Sequence, residues 1–136
     1  MIFVADASAI GAALLPDEGG PMAALVLRLS RERTIVAPVH WPLELASLIM
    51  SAHRRRRIDD QQHIAALEAA DALIREARIV QPPAPSELAR VARGNGLSIY
   101  DAAYLSACLD LNAPLLTGDG PLRRAGAVND VELLEP

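Results

Sequence analysis

Four short apolar runs, each followed or preceded by a longer helical stretch, set the strongest constraint on how this chain folds. Residues 2–5, 34–37, 78–80 and 115–117 have the length and the flanking Pro, Asp or Gly residues of buried strands. Strands that alternate with helices need crossover connections, and such connections produce a parallel sheet. We therefore predict one α/β domain over residues 1–136, with a central, mostly parallel β-sheet flanked by helices on both faces.

Proline and capping signals divide the intervening sequence into seven predicted helices. Pro21, Pro42 and Pro85 suit the first turn of a helix. Asp59 with Gln62 forms a capping-box pattern, and Ser98 is the predicted N-cap of the sixth helix. In that sixth helix the predicted packed face consists of Ile99, Ala102, Ala103, Ser106 and Leu109. Residues 131–134 are predicted to form a last strand at the sheet edge.

Composition excludes several classes of protein. The net charge of −4 argues against a generally basic nucleic-acid coat, and all 13 basic residues are Arg. Cys108 is the only cysteine, which excludes an intrachain disulfide and a Cys-rich metal site. The N-terminus lacks the basic and apolar regions of a signal peptide, and no apolar run is long enough to span a bilayer, so we expect a cytoplasmic protein without a membrane partner.

Four acids fall near the predicted carboxyl ends of strands. Asp6 closes the first strand, Glu44 lies in the first turn of the helix after the second, and Asp119 follows the strand at 115–117. Asp101 opens the helix that runs into that strand. Because ligands of open α/β sheets bind beyond the carboxyl ends of the strands, we expect these four residues, the acidic cluster, to converge at one edge.

Convergence of the acidic cluster would bring several negative charges together. Two unit charges about 4 Å apart repel by roughly 4 kcal/mol at an effective dielectric of 20, so protonation or a divalent cation must offset the repulsion. Oxygen ligands without His or Cys favour Mg²⁺ or Mn²⁺ over Zn²⁺. Each acid taken alone is also explained as a helix cap or as a charge that complements a helix dipole.

The segments that carry these acids resemble a known family. Residues 4–9 (VADASA), 42–46 (PLELA), 97–104 (LSIYDAAY) and 116–119 (LTGD) look like the four motifs of PIN-domain proteins, and more narrowly of the VapC-type toxins of type II toxin–antitoxin pairs. The resemblance covers essentially the whole chain, and the motifs occur in the family's order. One departure is Ala7, where many relatives carry Ser or Thr.

The resemblance implies a metal-dependent endoribonuclease in which the acidic cluster holds one or two Mg²⁺ or Mn²⁺ ions. Ser8 and Thr117 match polar positions near the metal in that family. The implied partners are an RNA substrate, such as tRNA or another structured RNA, a cognate VapB-type antitoxin that keeps the toxin inactive, and a second copy of the chain in a homodimer.

Carboxylates and a divalent ion also suit phosphodiester hydrolysis on chemical grounds, because the ion lowers the pKa of water and neutralises the leaving oxygen. Our hypothesis is that Asp6 and Asp101 hold the principal metal and that Asp119 completes this site or bridges toward a second ion. Glu44 then contacts the metal through water or acts as the general base.

Arginines are the candidates for RNA contact. Arg123 and Arg124 lie close to Asp119 in the sequence and are well placed for a phosphate. Arg54 and Arg55, in the basic run 53–57, either grip phosphates or form a solvated helix end. The three histidines lack metal-ligand spacing and are assigned no chemistry. For Trp41 and Tyr104 we expect core packing rather than stacking on a base.

Two other functions are compatible with parts of the pattern. A Mg²⁺-dependent phosphatase of the haloacid-dehalogenase kind, or a phospho-receiver, also has Asp after the first strand, but both rely on a Lys that is missing here, and the phosphatase usually carries a second acid where this chain has Ser8. A non-catalytic module that uses the same fold to bind a protein is the other alternative. A complete acidic cluster weighs against it.

Overall fold

Four parallel strands form the sheet that the apolar runs predict. A computed structural model describes all 136 residues. The strands are β1 (Ile2–Ala5), β2 (Thr34–Pro38), β3 (Arg78–Val80) and β4 (Leu115–Leu116). Their order is β3-β2-β1-β4, so the strand at the start of the chain lies in the interior of the sheet. In register, Val4 of β1 is paired with Val36 of β2 on one side and with Leu115 of β4 on the other.

Seven helices connect or follow the strands, as predicted, and most begin at the expected signal. They are α1 (Ala7–Leu14), α2 (Gly20–Glu32), α3 (Trp41–Arg54), α4 (Asp60–Glu76), α5 (Pro85–Asn95), α6 (Ile99–Leu111) and α7 (Gly120–Val128). Asp59 and Gln62 form the reciprocal capping box of α4, and the Ser98 side chain caps α6. None of these helices is both long enough and apolar enough to cross a membrane.

The direction of the connections places helices on both faces of the sheet. The chain steps from β1 to β2 to β3 in one direction and then returns across β1 to β4. Because crossovers are right-handed, this reversal puts the helices before β4 on the opposite face from those that precede β2 and β3. The contacts agree, since α1, α2, α3 and α4 pack on one another and α6 packs on α5, α7, β1 and β2. The predicted fold class is therefore confirmed.

Helix α6 is more deeply buried than its sequence pattern indicates. Every residue from position 102 to position 108 is buried, whereas Ile99 and Leu109, which were predicted to mark the packed face, are exposed. Ala102, Ala103 and Ala107 are small enough for the sheet and the neighbouring helices to approach from several sides. The prediction is confirmed for Ala102, Ala103 and Ser106, which are buried, and wrong for Ile99 and Leu109. The buried residues surround the middle of the helix and do not form one stripe along its length.

The predicted strand at residues 131–134 is also wrong. This segment makes one isolated parallel bridge, between Leu133 and Leu115, instead of a fifth strand. The backbone N–H of Leu115 donates to the carbonyl of Glu132, and that of Leu134 donates to the carbonyl of Leu115. Strand β4 contains only two residues, so it offers too short an edge for a longer ladder.

Gly94 and Gly96, near the end of α5, differ in backbone conformation. Gly96 has a φ of +64°, and Gly94 lies in α5 without a positive φ; an added Cβ would meet nothing within 4 Å at either position. Gly96→Ala should destabilise the protein by about 1 to 2 kcal/mol, because an L-residue is strained in the left-handed region. Gly94→Ala should stabilise it by up to about 1 kcal/mol, since Ala favours a helix.

Urea unfolding of both variants at equilibrium measures these changes in the free energy of unfolding. Two changes of the same sign would contradict the assignment of Gly96 as the left-handed C-cap of α5.

Candidate functional site

Three residues of the acidic cluster follow the three neighbouring strands β2, β1 and β4. Asp6 comes directly after β1 and is the N-cap of α1. Asp119 lies three residues beyond β4 and is the N-cap of α7, with the Leu122 N–H donating to its carboxylate at 2.9 Å. Glu44 lies in the first turn of α3, the helix after β2. Capping and convergence therefore operate together, because parallel strands deliver the helix starts to one edge of the sheet.

Asp101 joins this edge from helix α6. Its backbone N–H donates to the Ser98 hydroxyl at 3.1 Å, which fixes the first turn of the helix. The Ser98 side chain also opposes the rise in the pKa of Asp101. The charge of Asp101 acts on the pKa of Asp6, and the charges of Asp119 and Glu44 act on its own pKa. Asp101 is thus the member of the acidic cluster that interacts electrostatically with all three others.

Asp6 is the most deeply buried acid, with only 4% of its surface exposed. Its carboxylate accepts hydrogen bonds from the Ser8 hydroxyl at 2.8 Å, from the Ala9 N–H at 3.1 Å and from the Thr117 hydroxyl at 2.7 Å. The predicted polar neighbours Ser8 and Thr117 therefore both contact it. With donors from three residues, the carboxylate has a single well-defined orientation.

Ser8 and Thr117 also connect the start of α1 with the loop before α7. The Ser8 hydroxyl oxygen accepts from the Gly118 N–H at 3.0 Å, and the Thr117 hydroxyl oxygen accepts from the Asp119 N–H at 3.0 Å. The start of α1 and the loop before α7 are held together through these two side chains. The positions of Asp6 and Asp119 relative to one another are therefore set by a continuous hydrogen-bond network.

Burial and neighbouring charge raise the pKa values of two of the acids, Asp6 and Asp101. Burial raises the pKa of Asp6 from its ordinary 3.8 to about 6, although the hydrogen bonds from Thr117, Ser8 and Ala9 oppose the change. Burial also raises the pKa of Asp101, and repulsion by Asp119 and Glu44 adds to the effect. Burial and mutual repulsion therefore disfavour the ionised forms of Asp6 and Asp101.

Glu44 has neighbours that the sequence patterns did not indicate. The Tyr104 hydroxyl donates to Glu44 Oε1 at 2.6 Å, and His40 Nε2 lies 3.2 Å from the same oxygen. The distance from His40 to Glu44 is that of an ion pair, but the two groups lack hydrogen-bond geometry. The His40 ring packs against the rings of Tyr100 and Tyr104, at centroid distances of 5.2 and 5.1 Å.

One sequence interval could have indicated the histidine contact. His40 lies four residues before Glu44, which is the spacing of neighbours along one helix face. The contact of Tyr104 with Glu44 joins residues 60 positions apart, so no local spacing indicates it. His40 was assigned no chemistry, yet it lies beside the acidic cluster. The core prediction for Tyr104 and Trp41 is confirmed, since both are fully buried.

The acidic cluster fits a hard divalent cation in donor chemistry and in charge. Carboxylate oxygens are the ligands that Mg²⁺ and Mn²⁺ prefer. No Arg forms an ion pair with any of the four acids, and their mutual repulsion raises the pKa of Asp101. As they stand, however, no three His, Cys, Asp or Glu side chains are arranged as a metal-coordinating group. The four acids are neighbours, but their oxygens do not form one coordination sphere.

The candidate RNA-binding arginines differ in their surroundings. Arg123 forms an ion pair with Glu135, whereas the Arg124 guanidinium lies over Gly120 at the start of α7 and has no ion-pair partner. Arg124 also lines a cleft of about 250 Å³ between α7 and the α5–α6 turn. Arg54 and Arg55 are exposed at the far end of α3, roughly 15 Å from Glu44 along the helix axis at 1.5 Å per residue.

The fold and this site define an α/β domain with carboxylates gathered at the carboxyl edge of a parallel sheet. The family model of the PIN domain matches residues 3–128, and the chain belongs to this family. The comparison with curated proteins gave no significant match.

Three solved structures illustrate the similarity in fold. PAE2754 from Pyrobaculum aerophilum has 21% identity and a TM-score of 0.71, over 92% of this chain and 84% of that one. VapC20 from Mycobacterium tuberculosis, a toxin that cleaves the sarcin–ricin loop, has 23% identity and a TM-score of 0.60, over 93% and 95% of the chains. VapBC2 from Rickettsia felis, bound to a DNA fragment from its promoter, has 18% identity and a TM-score of 0.63, over 98% of both chains.

The raised pKa of Asp6 predicts how pH affects stability in metal-free protein. A folded-state pKa above the unfolded value adds stability below about pH 4, and this contribution is lost as pH rises through about 6. Asn can still accept the Ala9 N–H but cannot ionise. From pH 4 to pH 7.5, the free energy of unfolding of Asp6→Asn should therefore rise relative to wild type by about 2 to 3 kcal/mol, at about 1.4 kcal/mol per pKa unit.

Chemical unfolding in EDTA across this pH range measures the difference, and Asp17→Asn is the matched control. The hydrogen bond from Arg57 lowers the pKa of Asp17 below 3.8, so its contribution to stability is lost only in acid below this range. The stability of this variant relative to wild type should therefore change little from pH 4 to pH 7.5. A gap between Asp6→Asn and wild type that does not change with pH would contradict the burial of an ionisable Asp6.

Proposed function

We propose that this protein is a divalent-metal-dependent endoribonuclease of the VapC toxin type. The observation that carries the proposal is the gathering of Asp6, Glu44, Asp101 and Asp119 at one sheet edge, where no Arg forms an ion pair with them and His40 is the basic side chain that acts on Glu44 and Asp101. Asp6 is buried and the other three acids are partly exposed, and grouping these like charges raises the free energy of the folded chain. The grouping is most simply explained by a cation that binds there.

Mg²⁺ or Mn²⁺, when bound, would supply the Lewis acid that lowers the pKa of water and neutralises the leaving oxygen of the phosphodiester. Asp6, held by Ser8, Ala9 and Thr117, and Asp101 are the main ligands in this proposal. Asp119 completes the site or reaches toward a second ion.

Glu44 is placed to accept the proton of the attacking water, directly or through a second water. The water oxygen then forms the new bond to phosphorus, and the bond to the leaving ribose oxygen breaks as that oxygen takes up a proton from solvent, to which Glu44 later returns the proton it accepted. Of the four acids, Glu44 suits this role because it lies at the side of the cluster, in contact with Tyr104 and His40. Glu44 can also contact the cation through the attacking water, so its orientation affects both cation binding and proton transfer.

We propose Arg124 as the contact for an RNA phosphate near the cleaved bond. Its guanidinium forms no ion pair and lies over Gly120 at the N-terminus of α7, where the helix dipole also favours an anion. Arg123 is a weaker candidate because it pairs with Glu135. Arg54 and Arg55 would contact only a long RNA, since they lie at the other end of α3.

A VapB-type antitoxin and a second copy of the chain are the proposed protein partners. The similarity in fold to VapC20 and to VapBC2 supports this proposal at the level of the architecture. The RNA substrate is proposed to be tRNA or another structured RNA, by the same analogy.

The metal-dependent mechanism predicts the response of RNA cleavage to EDTA and to loss of one acid. EDTA should abolish cleavage, and Mn²⁺ or Mg²⁺ should restore it. Asp101→Asn should lower kcat/KM by at least about 100-fold, because one metal ligand and one charge are lost. Asp110→Asn, on an exposed position of the same helix, is the matched control and should cleave like wild type.

Gel assays with purified RNA give the rates, and calorimetry gives Mn²⁺ binding. Cleavage by Asp101→Asn at the wild-type rate would contradict the assignment. Turnover of p-nitrophenyl phosphate without RNA cleavage would indicate a phosphatase instead, and absence of Mg²⁺ and Mn²⁺ binding would favour a non-catalytic binding module.

The two adjacent arginines predict unequal effects on RNA binding. Arg124→Ala should raise KM for RNA about fivefold, which corresponds to about 1 kcal/mol for an exposed charge pair. The slope of log binding constant against log salt should fall by about 0.7, because one phosphate contact is lost.

Arg123→Ala is the matched control and should change both quantities less. Filter binding at several salt concentrations provides the measurement. Equal effects of the two substitutions would show that the pairing of Arg123 with Glu135 does not decide which arginine contacts RNA.

A further inference from the structure

The hydroxyl of the buried Tyr104 side chain reaches the acidic cluster. This side chain is fully buried within α6, yet its hydroxyl donates to Oε1 of Glu44 at 2.6 Å. Glu44 belongs to α3 and lies 60 residues away in the chain. A buried aromatic ring has few accessible rotamers, so the hydroxyl has a well-defined position from which to orient the carboxylate.

We propose that Tyr104 is a positioning residue that holds the Glu44 carboxylate in the orientation required by the acidic cluster. This inference rests on the proposed function, in which Glu44 acts beside the metal. The hydrogen bond joins a neutral donor to a carboxylate, a combination that is shorter and stronger than a neutral pair. Tyr104 is the only residue that donates a hydrogen bond to the Glu44 side chain.

The geometry of α6 gives this bond a second consequence. Asp101 and Tyr104 are three residues apart and therefore lie on the same side of the helix, one turn from each other. One helix thus carries both an acid of the cluster and the group that orients a second acid from α3. The helix therefore positions Asp101 directly and Glu44 through its hydrogen bond to Tyr104.

The surroundings of Tyr104 favour the neutral hydroxyl that donates this hydrogen bond. Burial, followed by the hydrogen bond and the charge of Glu44, raises the pKa of Tyr104. Asp6 contributes in the same direction. His40 contacts the same carboxylate oxygen at 3.2 Å but without hydrogen-bond geometry, so it does not replace the tyrosine.

Tyr104→Phe tests the proposal because it removes the hydroxyl and keeps the ring. Calorimetric titration of the full chain with Mn²⁺ alone should show about 10-fold weaker binding, and kcat for RNA should fall about 10-fold with KM nearly unchanged, as is typical when a group that orients a metal ligand is lost. Tyr100→Phe is the matched control, because Tyr100 also packs on His40 but its side chain is 62% exposed and makes no hydrogen bond. Its Mn²⁺ affinity and kcat should equal those of wild type.

A double-mutant cycle with Glu44→Ala separates positioning from a purely structural role. If the hydroxyl acts through Glu44, adding Tyr104→Phe to Glu44→Ala should leave Mn²⁺ affinity within about twofold of the single variant. A further loss of about 10-fold in that background would overturn the proposal. So would a Tyr104→Phe protein with a lower melting temperature but wild-type Mn²⁺ affinity and kcat.

The wild-type titration distinguishes the two levels of inference. If wild type binds Mn²⁺ and Tyr104→Phe binds it equally well, the positioning role fails and the proposed function stands. If wild type binds no Mn²⁺ and cleaves no RNA, both fail.

Discussion

A carboxylate buried at the end of the central strand is the interaction on which the rest of the site depends. Asp6 caps α1, yet burial opposes its ionisation and raises its pKa to about 6. The chain reduces this cost with hydroxyls from Ser8 and Thr117, and the same hydroxyls accept N–H groups from the loop before α7. Compensation for one buried charge therefore also determines where Asp119 lies.

Local signals explain why so much of the fold could be predicted from the sequence. Pro at the first turn, the Asp59–Gln62 capping box and Gly96 act within a few residues, so their meaning does not depend on the tertiary structure. The same holds for Asp6 and Asp119, since a cap that follows a parallel strand must lie at the carboxyl edge of the sheet. Local and tertiary preferences agree at these positions.

Other features depend on partners that are distant in the sequence. The hydrogen bond from Tyr104 to Glu44 joins two helices, and the pairing of Arg123 with Glu135 depends on the path of the last residues. The burial of residues 102–108 of α6, including Ser106, follows from packing against α5, α7, β1 and β2, which apolar periodicity within one helix cannot reveal. Residues 131–134 have a strand-like composition, but β4 is too short to pair with them.

The network around Asp6 also constrains when the site can form during synthesis. Asp6 and Thr117 are 111 residues apart, and Thr117 supplies the shortest hydrogen bond to the buried carboxylate. A ribosome that has made only the first helices has exposed Asp6, Ser8 and Glu44 but neither Thr117 nor Asp119. The centre is therefore assembled only when most of the chain has left the exit tunnel, and a truncated product carries an incomplete set of acids.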